Sequence, residues 1–291
     1  MHVTTRKRIQ LFPLMNGVMF LLLCLTMIAP IVHLAAVSLS APNYANAKLV
    51  SFWPKGFNVE VYHTIITMGN IWKSLGVSVY ITVVGTLICL AFTSTLAYSL
   101  SRSNMSGRRY VLRGIIITFV FSAPLIPNYL VVRGLGMENT LWSLMIPGAL
   151  NAFNVIIMKS FFQGISSEMF DAGKMDGCSE FGIFSRIAIP LSAPVIATVA
   201  LFHAVGQWNS YFSALIFIRS KDLLPLQVLL RNMIVEEQAN NMASTTELAG
   251  LLTPEMLKAG ITLFATAPIL ILYPFLQKYF VKGAMVGSLK E

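Results

Sequence analysis

Charged residues are scarce in this chain. Asp, Glu, Lys and Arg make up 11% of 291 positions, and only 12 are acidic. With 56% hydrophobic residues and a mean hydropathy of +0.71, this scarcity excludes a soluble domain of ordinary composition. Cysteine is nearly absent: Cys24, Cys89 and Cys178 form no C-x-x-C pair and no metal spacing, which excludes a disulfide framework. They read as packing residues. His2, His33, His63 and His203 are too scattered for a metal site, and no Ser/His/Asp or Cys/His pairing is suggested by position, so catalysis has no support. A phosphate-cradling glycine loop is missing too. The only Gly-Lys pair is Gly173-Lys174, followed by Met175, and the position of the required earlier glycine is Glu168. The apolar runs hold no Asp or Glu, which counts against a proton- or sodium-coupled carrier, where something at mid-membrane must bind the ion. No internal repeat is visible, which weakens an inverted-repeat carrier.

What the chain has is apolar length. Six runs of roughly 20 or more residues, each able to cross a hydrocarbon core, lie at about Leu11–Ser38, Leu75–Leu100, Gly114–Val132, Leu141–Phe162, Ile187–Tyr211 and Leu257–Phe280. Pro124 and Pro127 interrupt the third, and Pro268 and Pro274 lie in the sixth. The first has a rival reading as a secretory signal, because Ala35-Ala36-Val37-Ser38 loosely resembles a cleavage site. Its length is well beyond the roughly 7–15 residues of a signal core, and it reads as a retained span. The 15 Met and 19 Phe fit a lipid-packed bundle. The expected fold class is an all-α membrane protein with six transmembrane helices.

Basic residues then set the orientation. Thirteen of the 21 Lys and Arg lie on one side, in the first ten residues, the loop 101–113, the flanked segment 164–186 and the tail. By the positive-inside rule that side is cytoplasmic, with both termini on it. The expected layout is a cytoplasmic N-terminus (1–10), a first span (11–38), an outer interfacial segment (39–72), a transmembrane core (73–280) and a cytoplasmic tail (281–291). Within the core, 164–186 is a cytoplasmic loop and 219–256 an outer one. The surplus of nine positive charges tracks the edges of apolar runs, so it points to membrane topology and not to nucleic acid.

The segment Gly164–Arg186, GISSEMFDAGKMDGCSEFGIFSR, is a polar island between long apolar runs. Glu168, Asp171, Lys174 and Asp176 are mixed with Met169, Phe170, Ala172 and Met175, a pattern suited to a short amphipathic helix at a membrane surface. Ser167 is its expected N-cap and Gly177 its left-handed terminator. A second helix is expected from Ser179 into Ile187-Ala188-Ile189-Pro190. The plainer alternative is an ordinary cytoplasmic loop.

Inside the spans, Asn128 and Tyr129 follow the Pro124/Pro127 break, Asn151 and Asn154 lie about one turn apart, and His203, Gln207 and Ser210 share a face beside Trp208 and Asn209. Such groups can simply hydrogen-bond between helices. The functional alternative is a polar, aromatic-lined path for a hydroxylated solute, since aromatic rings stack on sugars while amides bond hydroxyls. Breaks at Pro124, Pro127, Pro190, Pro194 and Pro268 are expected to let the helices bend around it.

The ordered set Asp171-Ala172-Gly173, two residues, Asp176-Gly177, then Ile187 and Pro190-Leu191 resembles the EAA loop of permease subunits of ATP-binding-cassette importers. Trp53-Pro54-Lys55-Gly56, Trp208-Asn209, Pro225-Leu226-Gln227 and Tyr273 through Gly283 extend the resemblance to the carbohydrate branch, the group around the second permease subunit of the maltose importer. Within it, the chain looks nearest to importers of polysaccharide fragments such as pectin or alginate oligosaccharides, over about residues 10–291. The resemblance implies that Glu168, Met169, Phe170, Asp171, Ala172, Gly173, Met175, Asp176 and Gly177 form a coupling helix that docks in a cytoplasmic ATPase. It also implies a second, similar permease chain, two ATPase subunits that carry ATP and Mg, an extracytoplasmic solute-binding protein and an oligosaccharide substrate, with no cofactor on this chain. Asp171 replaces the family's Glu, Gly173 its second Ala, Cys178 a later Ala and Ser166 a common Pro. The rival classes are a secondary carrier or channel for small polar solutes, and a non-transporting membrane scaffold.

Overall fold

The computed structural model describes residues 11–121, 123–240 and 253–288, and only the backbone of 11, 234, 236–240 and 272–288. The expected cytoplasmic N-terminus, part of the loop 219–256 and the last residues of the tail lie outside the described residues. Every regular element among the described residues is helical. The chain divides into two compact units, residues 1–68 with 232–266 and residues 69–231 with 267–291.

In the first unit, α1 (Leu11–Ser38) is a continuous helix through Pro30. Its apolar window from Phe12 is uncovered by the described residues of its own unit, the arrangement of a helix whose neighbours lie outside that unit. Its last turn is tied down by polar bonds. Ser40 Oγ donates to Ala36 O at 2.6 Å and accepts from Lys55 N at 3.1 Å, and Ser38 Oγ lies 2.8 Å from Tyr62 Oη. After α2 (Pro42–Asn46), Asn58 Oδ1 accepts from Glu60 N at 2.8 Å to open α3 (Glu60–Thr67). Val61 and Ile65 of α3 are fully buried. They press on Gly260, where a Cβ would stand 2.4 Å from Val61 Cγ1, so only glycine allows this approach.

The second unit is built on α4 (Gly69–Ser101), whose 33 residues span roughly 50 Å. Small or compact residues recur at steps of four or seven on its buried face: Ser74, Ser78, Gly85, Cys89, Thr93 and Ala97. Such a stripe lets helices approach closely where lipid supplies no hydrophobic drive. The helices α5 (Arg108–Val120), α6 (Leu125–Gly134), α7 (Trp142–Met145) and α8 (Ala152–Gln163) follow. After them come α9 (Ser167–Met175), α10 (Glu180–Ile183), a π-helical turn at Phe184–Ala188, α11 (Ile189–Leu191) and α12 (Ala193–Trp208). The unit continues through α13 (Phe212–Phe217) into α14 (Leu226–Asn240), and α15 is Pro254–Ser288. One core gathers Cys89, Ala97, Leu100, Met158, Phe162, Ile183 and Val199 near the end of α4, and a second gathers Ile81, Val132, Met145, Ala214, Phe217 and Val228 nearer its start.

Three described helices are long and apolar enough to cross a membrane: Phe12–Ser38, Gly69–Ser101 and Pro254–Ile271. The pair Glu180–Leu191 and Ala193–Trp208, bent by 79°, makes a fourth only where its two helices are counted as one broken span. The third expected span is broken where Pro124 reads as an interruption: α5 ends at Val120 and α6 starts at Leu125, with Pro124 in the extended conformation before it, while Pro127 lies within α6. The fourth is expected to be continuous and is not. It splits into α7 and α8 around Pro147-Gly148, because proline cannot donate to the helix ladder. Of the other prolines proposed as bend points, Pro190 and Pro194 flank that 79° bend, Pro194 in the first turn of α12 where its missing N–H costs nothing, and Pro268 lies within an unbroken α15.

Candidate coupling site

The island folds as its residues direct, with one correction. Ser166, not Ser167, is the N-cap of α9: its Oγ accepts from Glu168 N at 3.3 Å. Gly177 adopts φ +77°, and Gly177 N and Cys178 N bond to Lys174 O and Gly173 O at 3.0 Å each. This is the six-to-one and five-to-two pairing that closes a helix through a left-handed glycine. Ser179 then caps α10, accepting from Gly182 N at 3.2 Å.

Between its caps α9 has two faces. Phe170 and Gly173 are buried. Glu168, Met169, Asp171, Ala172, Met175, Asp176 and Gly177 are exposed, with Met175 at 88%. Of the nine residues expected to meet a partner, seven therefore face outward and two hold the helix to its own chain. The inner contact is tight. A Cβ on Gly173 would stand 2.7 Å from Ile187 Cδ1, a side chain presented by the π-helical turn.

The anchor of α9 is a clasp around Arg102, just past the end of α4. Its guanidinium lies 3.7 Å above the Phe170 ring and donates to Tyr98 Oη at 2.6 Å. It also stands 3.9 Å from Glu180 Oε2. Tyr98 Oη donates to the same carboxylate oxygen at 3.4 Å, and Lys174 Nζ is 3.3 Å from the other. The Tyr98 ring meets Phe162 and Phe170 edge-on and lies tilted against Phe184, with its centroid 5.0 Å away. Arg102 Nε is buried without an acceptor. Arg108 Nε meanwhile caps the last turn of α4 through Leu100 O at 2.8 Å. The clasp thus joins α4, α9 and α10 through one side chain. Sequence reading counted Arg102 only as a loop charge. The available signal was that Tyr98 and Arg102 are four residues apart on one helical face.

The residues nominated for a solute path do not converge on one polar surface. Gln207 is buried and donates to Leu144 O at 2.8 Å, joining α12 to α7. His203 Nδ1 pairs with Thr86 Oγ1 at 3.3 Å, joining α12 to α4. Asn151 caps α8 by accepting from Phe153 N at 2.9 Å, and Asn209 bonds back to Val205 O within its own turn. Asn154 and Trp208 are buried. Tyr129 donates to Glu138 Oε1 at 2.9 Å and stacks on Phe217. Asn128 is half-buried and makes no side-chain hydrogen bond among the described residues.

A second polar cluster sits near the start of α4. Glu138 accepts from Arg219 Nη2 at 2.6 Å and lies 3.8 Å from Arg133 Nε. Asn139, at φ +58°, accepts from Arg219 N and Ser220 N at 3.0 and 2.9 Å and donates to Ser220 Oγ at 2.9 Å. Lys73 and Asp222 pair beside it at 3.3 Å.

A membrane-spanning helical unit with a capped, surface-lying helix clasped to its central span defines a class, the membrane component of a multi-subunit machine. The chain belongs to the family of binding-protein-dependent transport system inner membrane components, which matches residues 99–286. It is 41% identical to Protein LplC of Bacillus subtilis over 90% of this chain and 89% of that one. It is 39% identical to the polygalacturonan/rhamnogalacturonan transport system permease protein YtcP of the same organism, over 94% of both chains. A chain in the crystal structure of a bacterial ABC transporter that imports the acidic polysaccharide alginate superposes with a TM-score of 0.86 at 30% identity, covering 96% of this chain and all of that one. The chain is a membrane permease component and not itself an enzyme.

Proposed function

We propose that this chain is one permease subunit of an ATP-driven oligosaccharide importer, with acidic fragments of the pectin or alginate kind as its substrate class. The acidic assignment is supported by the named cargo of the pectin-related relative and of the alginate importer. In this reading the chain pairs with a second permease, two ATPase subunits that carry ATP and Mg, and an extracytoplasmic solute-binding protein. Six crossings are made by α1, α4, the broken pairs α5–α6 and α7–α8, the bent helix ending in α12, and α15. Both termini and 164–186 face the cytoplasm, while 39–72 and 219–256 face the binding protein. The core 73–280 carries the path, along which Asn128, Tyr129, Asn151, Asn154, His203, Gln207, Trp208 and Asn209 are the candidate contacts.

The observation that carries the coupling role is the two-faced α9. Its outer face offers Met169 and Met175 between Glu168, Asp171 and Asp176, an apolar knob with an acidic rim, while its inner face is clasped to α4. When ATP closes the ATPase pair, α9 moves with its cleft. The Arg102 clasp then passes that motion to α4, which packs on α8 and α12 and so reorients the spans. Gly177→Asp tests this reading. A side chain at φ +77° strains the C-cap, and a second carboxylate opposes the helix dipole. The assembled transporter is expected to insert normally and to lose substrate-stimulated ATP hydrolysis. Unchanged stimulation overturns α9 as the coupling element, and transport that persists without ATPase subunits overturns the importer.

A further inference from the structure

In the first unit a recess of about 410 Å³ opens at the end of α1, lined by His33, Leu34, Val37, Ala45, Lys48, Val50, Glu255, Lys258 and Ala259. This volume lies within the roughly 300–1,000 Å³ usual for small-ligand sites. Its walls are aliphatic and its rim is ionic. Lys48 and Glu255 pair at 3.8 Å with both side chains largely exposed, a pairing too weak to occupy either group. Lys258 makes no ion pair among the described residues. The rim is held in place. His33 Nδ1 meets Ser51 O at 2.7 Å, fixing the loop over the helix end, and Lys48 sits in that loop at φ +53°, a conformation uncommon for a lysine.

We infer that this recess holds the phosphodiester headgroup of an anionic phospholipid, with Lys48 and Lys258 as its cationic partners. Three observations select that ligand. The recess lies where an uncharged span of 28 residues ends and where α15 begins, which is headgroup depth. Beside it Phe52, Trp53 and Phe57 are 56%, 82% and 72% exposed, the aromatic belt of a membrane interface. Below it runs the apolar surface of α1, uncovered within its own unit from Val32 back to Phe12, along which acyl chains can lie. A sugar acid is a poorer fit, because the lining has neither an aromatic platform for a ring nor an amide for hydroxyls. In the orientation proposed above the recess meets the outer leaflet, and each lysine beside an acidic headgroup contributes on the order of tenfold or less in affinity near the surface.

The inference rests on membrane location and not on the substrate or coupling assignments. The test uses the whole transporter, extracted from membranes and examined by native mass spectrometry, then returned to vesicles of phosphatidylcholine alone or with about a quarter phosphatidylglycerol. The wild type is expected to retain phosphatidylglycerol and no phosphatidylcholine. Lys48→Ala with Lys258→Ala is expected to reduce retention about tenfold or more, while Lys48→Arg with Lys258→Arg keeps it. Unchanged retention in the alanine pair overturns the site. So does displacement of the lipid by inorganic phosphate or by an oligogalacturonate, which makes it a free-anion or substrate site. Normal lipid retention with lost stimulation by the binding protein assigns the lysines to protein docking instead. A melting temperature for each variant separates loss of lipid from loss of fold.

Discussion

The two polar clusters on α4 do opposite things with similar residues. They are separated by the roughly 40 Å of helix between Lys73 and Arg102. Near Lys73, Glu138 and Asn139 are held by short bonds, including 2.6 Å from Arg219 and 2.9 Å from Tyr129, and backbone donors are satisfied along with side chains. Near Arg102 the guanidinium stands 3.9 Å from Glu180 and Nε is left without an acceptor, so its one short bond is to Tyr98 Oη at 2.6 Å. Aromatic rings supply the rest of its contacts, and a ring tolerates sliding of a guanidinium where a fork on a carboxylate does not. The Glu138 cluster is a joint of directional bonds that reach the backbone, and the Arg102 clasp is one of stacking. That is the division expected if the clasp end follows a motor while the other end holds the scaffold.

The largest expected effect breaks the stacked end. Arg102→Ala removes the group that bridges Tyr98, Phe170 and Glu180, leaving α9 attached by packing at Phe170 and Gly173 and by the Lys174–Glu180 pair. Substrate-stimulated ATPase activity is expected to fall about tenfold, equivalent to about 1.4 kcal/mol of coupling free energy, with basal hydrolysis retained. Arg102→Lys keeps the charge but loses the planar group stacked on Phe170, and should recover only part of that loss. Equal loss of basal and stimulated rates would mean that Arg102 serves assembly alone.

Next in size is a break at the end held by directional bonds. Asn139 accepts from two backbone N–H groups and donates to Ser220 while holding a left-handed backbone. Asn139→Ala leaves those donors unpaired and keeps a Cβ at a left-handed residue without the short polar side chain that helps asparagine hold it. A destabilisation of about 2 kcal/mol is expected, read as a lower thermal midpoint of the purified complex with the coupling ratio unchanged. Asn139→Gly restores the backbone freedom and should fall between alanine and wild type. A coupling defect without a stability change would erase the distinction between the two ends.

How much of this was legible in sequence depends on the range of the interactions. The island was readable because its determinants are local. Ser179 caps within three residues, the first cap was missed by one position in the pair Ser166-Ser167, and Gly177 sits where a left-handed residue must. The spans were readable as apolar length but only in part as geometry. A hydropathy run through Pro147-Gly148 does not show that the helix stops there, whereas the 79° bend at Ser192 lies between Pro190 and Pro194, both read as bend points. Meanwhile α15 passes through Pro268 unbroken. The clasp was least legible, since Tyr98 meets Glu180 across 82 positions and Phe170 across nearly as many. The solute-path residues show the converse. His203 and Gln207 were found by helical spacing, and the structure gives both a partner on another helix.

The smallest effect concerns how closely α9 is seated, and it has a sign worth settling. At Gly173 an alanine would gain up to about 1 kcal/mol of helix propensity. Its Cβ would also meet Ile187 Cδ1 at 2.7 Å and Ile183 Cγ1 at 3.4 Å. Ile187 Cδ1 is the free end of a flexible side chain and can turn aside, at a cost of about 1 kcal/mol for the displaced packing. The two terms nearly cancel, so Gly173→Ala alone should move the thermal midpoint little. In an Ile187→Val background the clashing methyl is gone and the propensity gain remains. There the same Gly173→Ala change should stabilise by about 0.5–1 kcal/mol. A double-mutant cycle on the purified complex reads this directly. Zero interaction energy between the two positions would mean that α9 is free of the π-helical turn, and that the Arg102 clasp alone holds it to the spans.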